Sequence, residues 1–252
     1  MDSHIFPPWQ LGGGSPPALL GEQGFALVSS TQLCALTTLP DLGALRALEP
    51  TWAALPEDQH LLDGGRYRQR RHASLILDES LQQWQATPKR AHWQPVEYNA
   101  LHGGIQRWFE PIEDAVLAAP ALHSLVLGLA RCFSQVSARA QRYVELHQFR
   151  ITTEGGIGRP TPEGAHRDGV DFVVVILIGR HQVKGGETRV FDAHGSAGLR
   201  FTMSEPWTAL LLDDHRMIHE TTPLQPMGDV PGWRDTLVIS FRSDGFLQPA
   251  GG

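Results

Sequence analysis

The sequence predicts a mainly β fold, a jelly roll or barrel wrapped by helices from its amino-terminal half. Three observations predict it. Beyond Tyr143, short apolar or alternating runs recur at close spacing, divided by Gly, Pro and Asp turns. Eighteen prolines and 26 glycines in 252 residues supply turns in number. The clearest helical periodicity lies earlier, between residues 111 and 141. The length suits one domain over residues 19–252, with 19–142 as a helix-rich wrapping and 143–245 as the β core.

Residues 1–18 are rich in Gly and Pro and read as a poorly ordered tail. Residues 24–28 form a first short strand. Residues 33–48 read as helical, with Pro40 breaking the helix into two pieces. The arginine-rich residues 66–71 lead into a strand over 73–77, and residues 83–106 read as a polar loop. In the segment 111–141, Ile112, Val116, Leu122, Leu125, Val126, Leu129 and Phe133 recur mostly at helical spacing, with Pro120 as an interruption. Residues 144–151 are a candidate strand. Residues 171–178 are apolar throughout and β-branched, as in a strand covered on both faces. Gly185 and Gly186 form a turn before a strand over 187–192. Further strands are expected at 199–203, 207–212, 217–222 and 236–242.

Composition narrows the function. With 41% hydrophobic and 19% charged residues the chain is ordinary for a globular protein. Its net charge of -6 offers no general attraction for nucleic acid or anionic lipid, so neither is an expected partner. The basic run at 66–71 reads as a solvated edge strand. Two cysteines, Cys34 and Cys132, form no CxxC pair and fit a reduced cytoplasm. The amino terminus lacks a basic start followed by an apolar stretch, so no signal peptide is expected. The most apolar stretch, residues 115–130, contains Pro120, His123 and Ser124 and falls short of the roughly 20 residues of a membrane span.

The chemistry concentrates late in the chain. His166 and Asp168 stand two positions apart, which puts both on one side of an extended strand. A second imidazole from a distant strand would complete two histidines and one carboxylate, a set that leaves open positions on Fe(II). His215 and His219 both follow the strand at 207–212, and strand parity does not separate them. Position does: His215 adjoins the turn at Asp213 and Asp214, whereas His219 lies inside an extended run that Pro223 ends. His219 is therefore the expected third ligand and His215 a turn or supporting residue. In residues 234–242, Leu237, Ile239 and Phe241 share one face; Arg234, Thr236, Val238, Ser240 and Arg242 share the other. An arginine with a hydroxyl two residues on can clamp a carboxylate. A phosphate loop, a nucleophile elbow and a zinc spacing among His72, His102 and His181 are all missing from the sequence.

Residues 160–169, 185–188, 213–219 and 233–241 together resemble the bacterial 2-oxoglutarate/Fe(II) dioxygenases that include L-isoleucine hydroxylase. Arg70, Arg71, Tyr98, Asn99, Gly103, Gly104 and residues 147–151 extend the resemblance to about residues 20–245. It implies a double-stranded β-helix holding one Fe(II) on His166, Asp168 and His219. It also implies 2-oxoglutarate as cosubstrate, its distal carboxylate on Arg234 with Thr236; Arg242, on the same strand face, competes for that role. Characterised members hydroxylate or sulfoxidise free aliphatic amino acids, while stress- and biofilm-linked members have no settled substrate. The expected function is hydroxylation of a small substrate, a free aliphatic L-amino acid, with O2. Arg150 and Glu163 are its candidate contacts, with a structural salt bridge as the alternative for each. The rival functions are a non-catalytic jelly-roll binding or regulatory protein and a protein or peptide hydroxylase.

Overall fold

The computed structural model describes residues 9, 11, 13–78, 80 and 82–249. Its elements run α1 (Pro16–Gln23), β1 (Phe25–Val28), α2 (Ser30–Thr37) and α3 (Gly43–Arg46), then a 3-10 turn at Glu49–Ala54. They continue with β2 (Arg68–Asp78), β3 (Gln83–Ala86), α4 (Asp114–Leu117), α5 (Pro120–Ser134), β4 (Tyr143–Thr152) and β5 (Phe172–His181). The last seven are β6 (Val183–Gly185), β7 (Thr188–Asp192), β8 (Gly198–Phe201), β9 (Ala209–Asp213), β10 (Met217–Thr221), β11 (Leu224–Pro226) and β12 (Trp233–Arg242).

Seven strands form the large sheet, in the order β1-β9-β5-β12-β4-β2-β3. A three-stranded sheet, β10-β7-β8, and the β11-β6 pair stand opposite. The architecture is a jelly roll with helices against the outer face of the large sheet. That sheet divides two cores. Leu237, Ile239 and Phe241 of β12 pack outward with Val174, Ile176 and the apolar stripe of α5. Val173 and Leu177 of β5 and Leu210 and Leu212 of β9 face inward, against Val190, Met203 and Met217. Residues of β5 are thus buried on both faces, which is why they read as an uninterrupted apolar run.

Several expectations need correction. Of the expected tail, residues 1–8, 10 and 12 lie outside the described residues. Its end is helical: the Ser15 side chain accepts from the Ala18 N–H and Pro16 opens α1, a start that suits proline because its missing N–H has no helical partner there. Trp9 lies edge-on to Phe25, with ring centroids 5.1 Å apart. Pro120 opens α5 for the same reason, so α4 and α5 are separate helices rather than one interrupted helix. Residues 83–86, expected in a loop, form β3 against the end of β2; the strand is mostly exposed and carries no alternating pattern to reveal it. The break near Pro40 is borne out: α2 ends at Thr37, its cap Thr38 is left-handed, and the single turn of α3 follows.

Helix α5 sits close on α2 because residue 128 is glycine. A Cβ there would stand 2.6 Å from the Leu36 carbonyl oxygen. Near the carboxyl end of α5, Phe133 stacks on Phe172 of β5 at 4.3 Å and meets Phe241 of β12 edge-on at 4.9 Å. This fully buried ring ties the helical layer to two central strands. Phe133→Ala is expected to lower unfolding free energy by roughly 3–5 kcal/mol, as read from a urea transition of the purified protein.

Candidate metal centre

The segment before β5 is held at the open edge of the small sheet by its backbone. His166 N–H donates to the His219 carbonyl at 3.1 Å, and His219 N–H returns the bond to the His166 carbonyl at 2.9 Å. The two residues form an antiparallel bridge beside β10, and their rings lie 4.7 Å apart. Asp214, in the turn after β9, fixes residues 168–170. Its carboxylate accepts from the N–H groups of Asp168 (3.0 Å), Gly169 (2.7 Å) and Val170 (3.1 Å). Gly169 takes a positive φ of 77°, and a side chain there would run into the Tyr98 ring. The chain therefore turns sharply just past Asp168.

One ligand-type atom each from His166, Asp168 and His219 lies within 4.8 Å of the others. Asp168 Oδ1 is 3.8 Å from His166 Nε2, and Oδ2 is 3.9 Å from His219 Nε2. The set fits a divalent cation by its chemistry as well as its spacing. His166 Nδ1 lies 2.9 Å from the Gly164 carbonyl, so that nitrogen carries the proton and leaves the Nε2 lone pair free. Burial pushes the Asp168 carboxyl above its ordinary value, and nearby Glu163 adds to the rise. Burial first, then His166, lowers the His219 imidazole, keeping it neutral as a metal ligand must be. Against the effect of burial, Glu163 and Asp168 raise His166. A cation shared among these groups would relieve that accumulation of buried negative charge.

These residues line a cavity of about 930 Å³, its open mouth included. Inside it, Arg234 and Thr236 of β12 are 2% and 4% exposed. Arg234 Nε and Nη2 are buried without a hydrogen-bond partner, and burial, then Arg180, brings its guanidinium down to about 10. A buried guanidinium with two open donors is suited to a carboxylate. Arg242 does not line this cavity; its Nη1 reaches the Gly169 carbonyl at 3.4 Å. His215 points to the surface, where its Nε2 is 3.1 Å from Asp171 Oδ1, and takes no part in the cluster.

The two residues expected to touch substrate part company. Glu163 lines the cavity, with Oε1 3.6 Å from His166 Nε2 and Oε2 buried and unpartnered. Arg150 is a correction. It sits on the opposite face of β4 and forms a two-pronged ion pair with Asp235, at 2.8 and 2.7 Å, under the Trp233 ring. Sequence reasoning missed Gln94, whose Nε2 donates to Asp168 Oδ1 at 2.9 Å while its own oxygen accepts from Arg107 and Asn99. It also missed the convergence of His72, His92, Glu145 and His147, whose ligand-type atoms lie within 4.8 Å of one another. There Arg90 Nη1 is 3.3 Å from Glu145 and Arg70 Nη2 is 2.7 Å from His147 Nδ1. Those guanidiniums already supply the positive charge, and His72 Nε2 stands 3.0 Å from Glu145. This is a hydrogen-bonded wall of the cavity rather than a second cation site.

Comparison with known proteins gives the family. A family model for the 2OG-Fe dioxygenases matches residues 49–240. Among solved structures, a bsmA homolog from Methylobium petroleophilum PM1 is 50% identical, with a TM-score of 0.89 over 93% of this chain and 94% of that one. IDO from Bacillus thuringiensis (17% identity, TM-score 0.71, 91% of this chain and 94% of that one) shares the fold. So does the Fe(II)/α-ketoglutarate-dependent dioxygenase TqaL (18%, 0.67, 90% and 84%). No curated protein matches the sequence.

Metal analysis of purified variants checks the site. His166→Ala is expected to abolish iron loading, whereas His215→Ala retains full stoichiometry. Asp214→Ala, which removes the acceptor of three backbone N–H groups, is expected to weaken Fe(II) binding about 10–100-fold in a chelator competition.

Proposed function

This chain belongs to the 2OG-Fe dioxygenase family, and we propose that it hydroxylates a small substrate, a free aliphatic L-amino acid. It is a 2-oxoglutarate- and Fe(II)-dependent oxygenase. Within the family we place it with the bacterial hydroxylases that include L-isoleucine hydroxylase, on the sequence blocks between residues 160 and 242. With iron and 2-oxoglutarate bound, the site supplies O2-dependent oxidation: the keto acid becomes succinate and CO2, and one oxygen atom enters a substrate C–H bond.

The residues of the chain bind, orient and enclose. His166, Asp168 and His219 would hold the iron, a ligand set suited to keto acid and O2 chemistry. Gln94 fixes the Asp168 carboxylate by its hydrogen bond, and Gly164 fixes the His166 tautomer. Arg234, with Thr236, takes the distal carboxylate of 2-oxoglutarate. The observation that carries this reading is the pairing of a two-histidine, one-carboxylate set with a buried arginine, two of whose nitrogens lack a partner, in a single cavity. Glu163 is the substrate contact, its open Oε2 suited to an ammonium group. We read residues 19–252 as one catalytic unit, since a continuous apolar core joins Leu19 of α1 to Phe241 of β12. We also place the protein in the cytoplasm, a reading supported by its two free, buried cysteines. Among the described residues no helix is long and apolar enough to cross a membrane.

The test is incubation of anaerobically purified protein with Fe(II), 2-oxoglutarate, a pool of amino acids and then O2, followed by mass spectrometry. Succinate formed together with one amino acid that has gained an oxygen atom is the expected result. No succinate under any condition would favour the binding protein instead. Arg234→Ala is expected to raise the 2-oxoglutarate KM about 30-fold or more, the equivalent of roughly 2 kcal/mol of charge-assisted hydrogen bonding, while iron content stays unchanged.

A further inference from the structure

With Arg234 assigned to the cosubstrate, the same cavity still contains three more arginines. Arg68, Arg70 and Arg107 are 4%, 3% and 2% exposed, and all three line it. One carboxylate, Asp58, serves the group: it accepts from Arg68 Nε at 2.7 Å and stands 3.8 Å from Arg70 Nη1. Despite its burial, these two cations keep the Asp58 carboxyl below its ordinary value. Among the described residues Asp58 is the carboxylate in direct contact with these guanidiniums, while Glu145 and Glu163 act on them from farther off.

The donors are left unbalanced. Arg70 directs Nη2 to His147 and Arg107 directs Nη2 to Gln94. Arg68 Nη2, Arg70 Nε and Arg107 Nε are buried with no hydrogen-bond partner. An unmatched buried charge is among the costliest features a fold can retain. Relaxation into water is closed to Arg70, because its guanidinium is held between the Phe109 ring at 3.7 Å and the Phe149 ring at 4.3 Å. Glu145 pairs with Arg90 and His72, and Glu163 lies beside His166, so neither makes a direct ion pair with Arg68, Arg70 or Arg107. The burial of Arg107, with Arg68 next to it, brings its guanidinium down to about 10, so that group too would gain from an anion.

We propose that Arg70 and Arg107 form a second anion subsite, separate from Arg234, which receives the free carboxylate of the substrate. The proposal rests on the amino acid reading and narrows it. An aliphatic residue inside a peptide has no carboxylate to place there, whereas a free amino acid offers one to the arginines and an ammonium to Glu163. The role expected of Arg150 passes to the arginines on the inner face.

Anaerobic calorimetric titration of the protein loaded with Fe(II) and 2-oxoglutarate tests this. The probes are the twenty protein amino acids, each paired with its carboxamide. At least one free acid is expected to bind, and its carboxamide to bind about 30-fold or more weakly, as befits loss of a charge-assisted pair. Arg70→Gln should erase that discrimination while leaving 2-oxoglutarate affinity unchanged. Arg70→Lys, which keeps the cation and loses the fork, should restore part of it, and it carries the test if Arg70→Gln does not fold. A purely structural Arg70 would weaken acid, amide and 2-oxoglutarate alike. The proposal is overturned if acid and amide bind equally, if Arg70→Gln still discriminates, or if no free amino acid binds. Amino acid turnover with undiminished discrimination in Arg70→Gln would remove the subsite and leave the proposed function standing. Turnover of peptides alone would remove both.

Discussion

The reciprocal backbone pair between His166 and His219 is the constraint on which the site depends. Two hydrogen bonds, at 3.1 and 2.9 Å, join residues 53 positions apart and bring both imidazoles to the same side of the small sheet. The pair is at the sheet's edge, where an unpaired strand would otherwise meet water. The position of Asp168 then depends on Asp214, whose carboxylate gathers three successive N–H groups and sets the direction of the turn. Neither device uses the side chains that face the cavity. The backbone pairing and the Asp214 carboxylate thus set where the three side chains start, and Gln94 then orients the Asp168 carboxylate.

Electrostatics gives the cavity its second character. Negative charge collects near His166, from Asp168 and Glu163, and positive charge collects in the same cavity, from Arg68, Arg70 and Arg234 on the large sheet and Arg107 on the covering stretch. Each half is incomplete on its own. The first is relieved by a divalent cation and the second by carboxylates, which are the groups that a keto acid and an amino acid carry. Burial magnifies both imbalances, since charges withdrawn from water are weakly screened.

Much of this is legible in the sequence, for identifiable reasons. His166 and Asp168 declare themselves by a two-residue spacing in an extended segment. The strand over β12 shows its faces because Leu237, Ile239 and Phe241 alternate with polar residues; Arg234 and Thr236 then lie opposite the apolar side. His219 is separable from His215 because a turn precedes one and a proline ends the run of the other. Arg150 is misjudged because β4 is buried on both faces over much of its length, so its pattern does not say which side is inward. Gln94 and Arg107 come from a stretch without periodicity. A local bridge between His92 and Arg107 folds that stretch over the cavity, and no spacing rule announces such a contact. β3 is hidden for a simpler reason: an exposed edge strand carries no apolar signal.

The division of labour between the two sheets has a consequence for how such a protein can change. Iron ligands are fixed by the small sheet and its adjoining turn, while the groups facing an organic ligand project from β2, β12 and the covering loop. Mutational drift on β2 and β12 can reshape the second set while the backbone of the first is left alone; Gln94, in the covering loop, serves both through Asp168 and Arg107. A lineage built this way can trade one metabolite for another while its oxidising power is inherited intact, and a designer seeking altered selectivity would start from the inner face of β2.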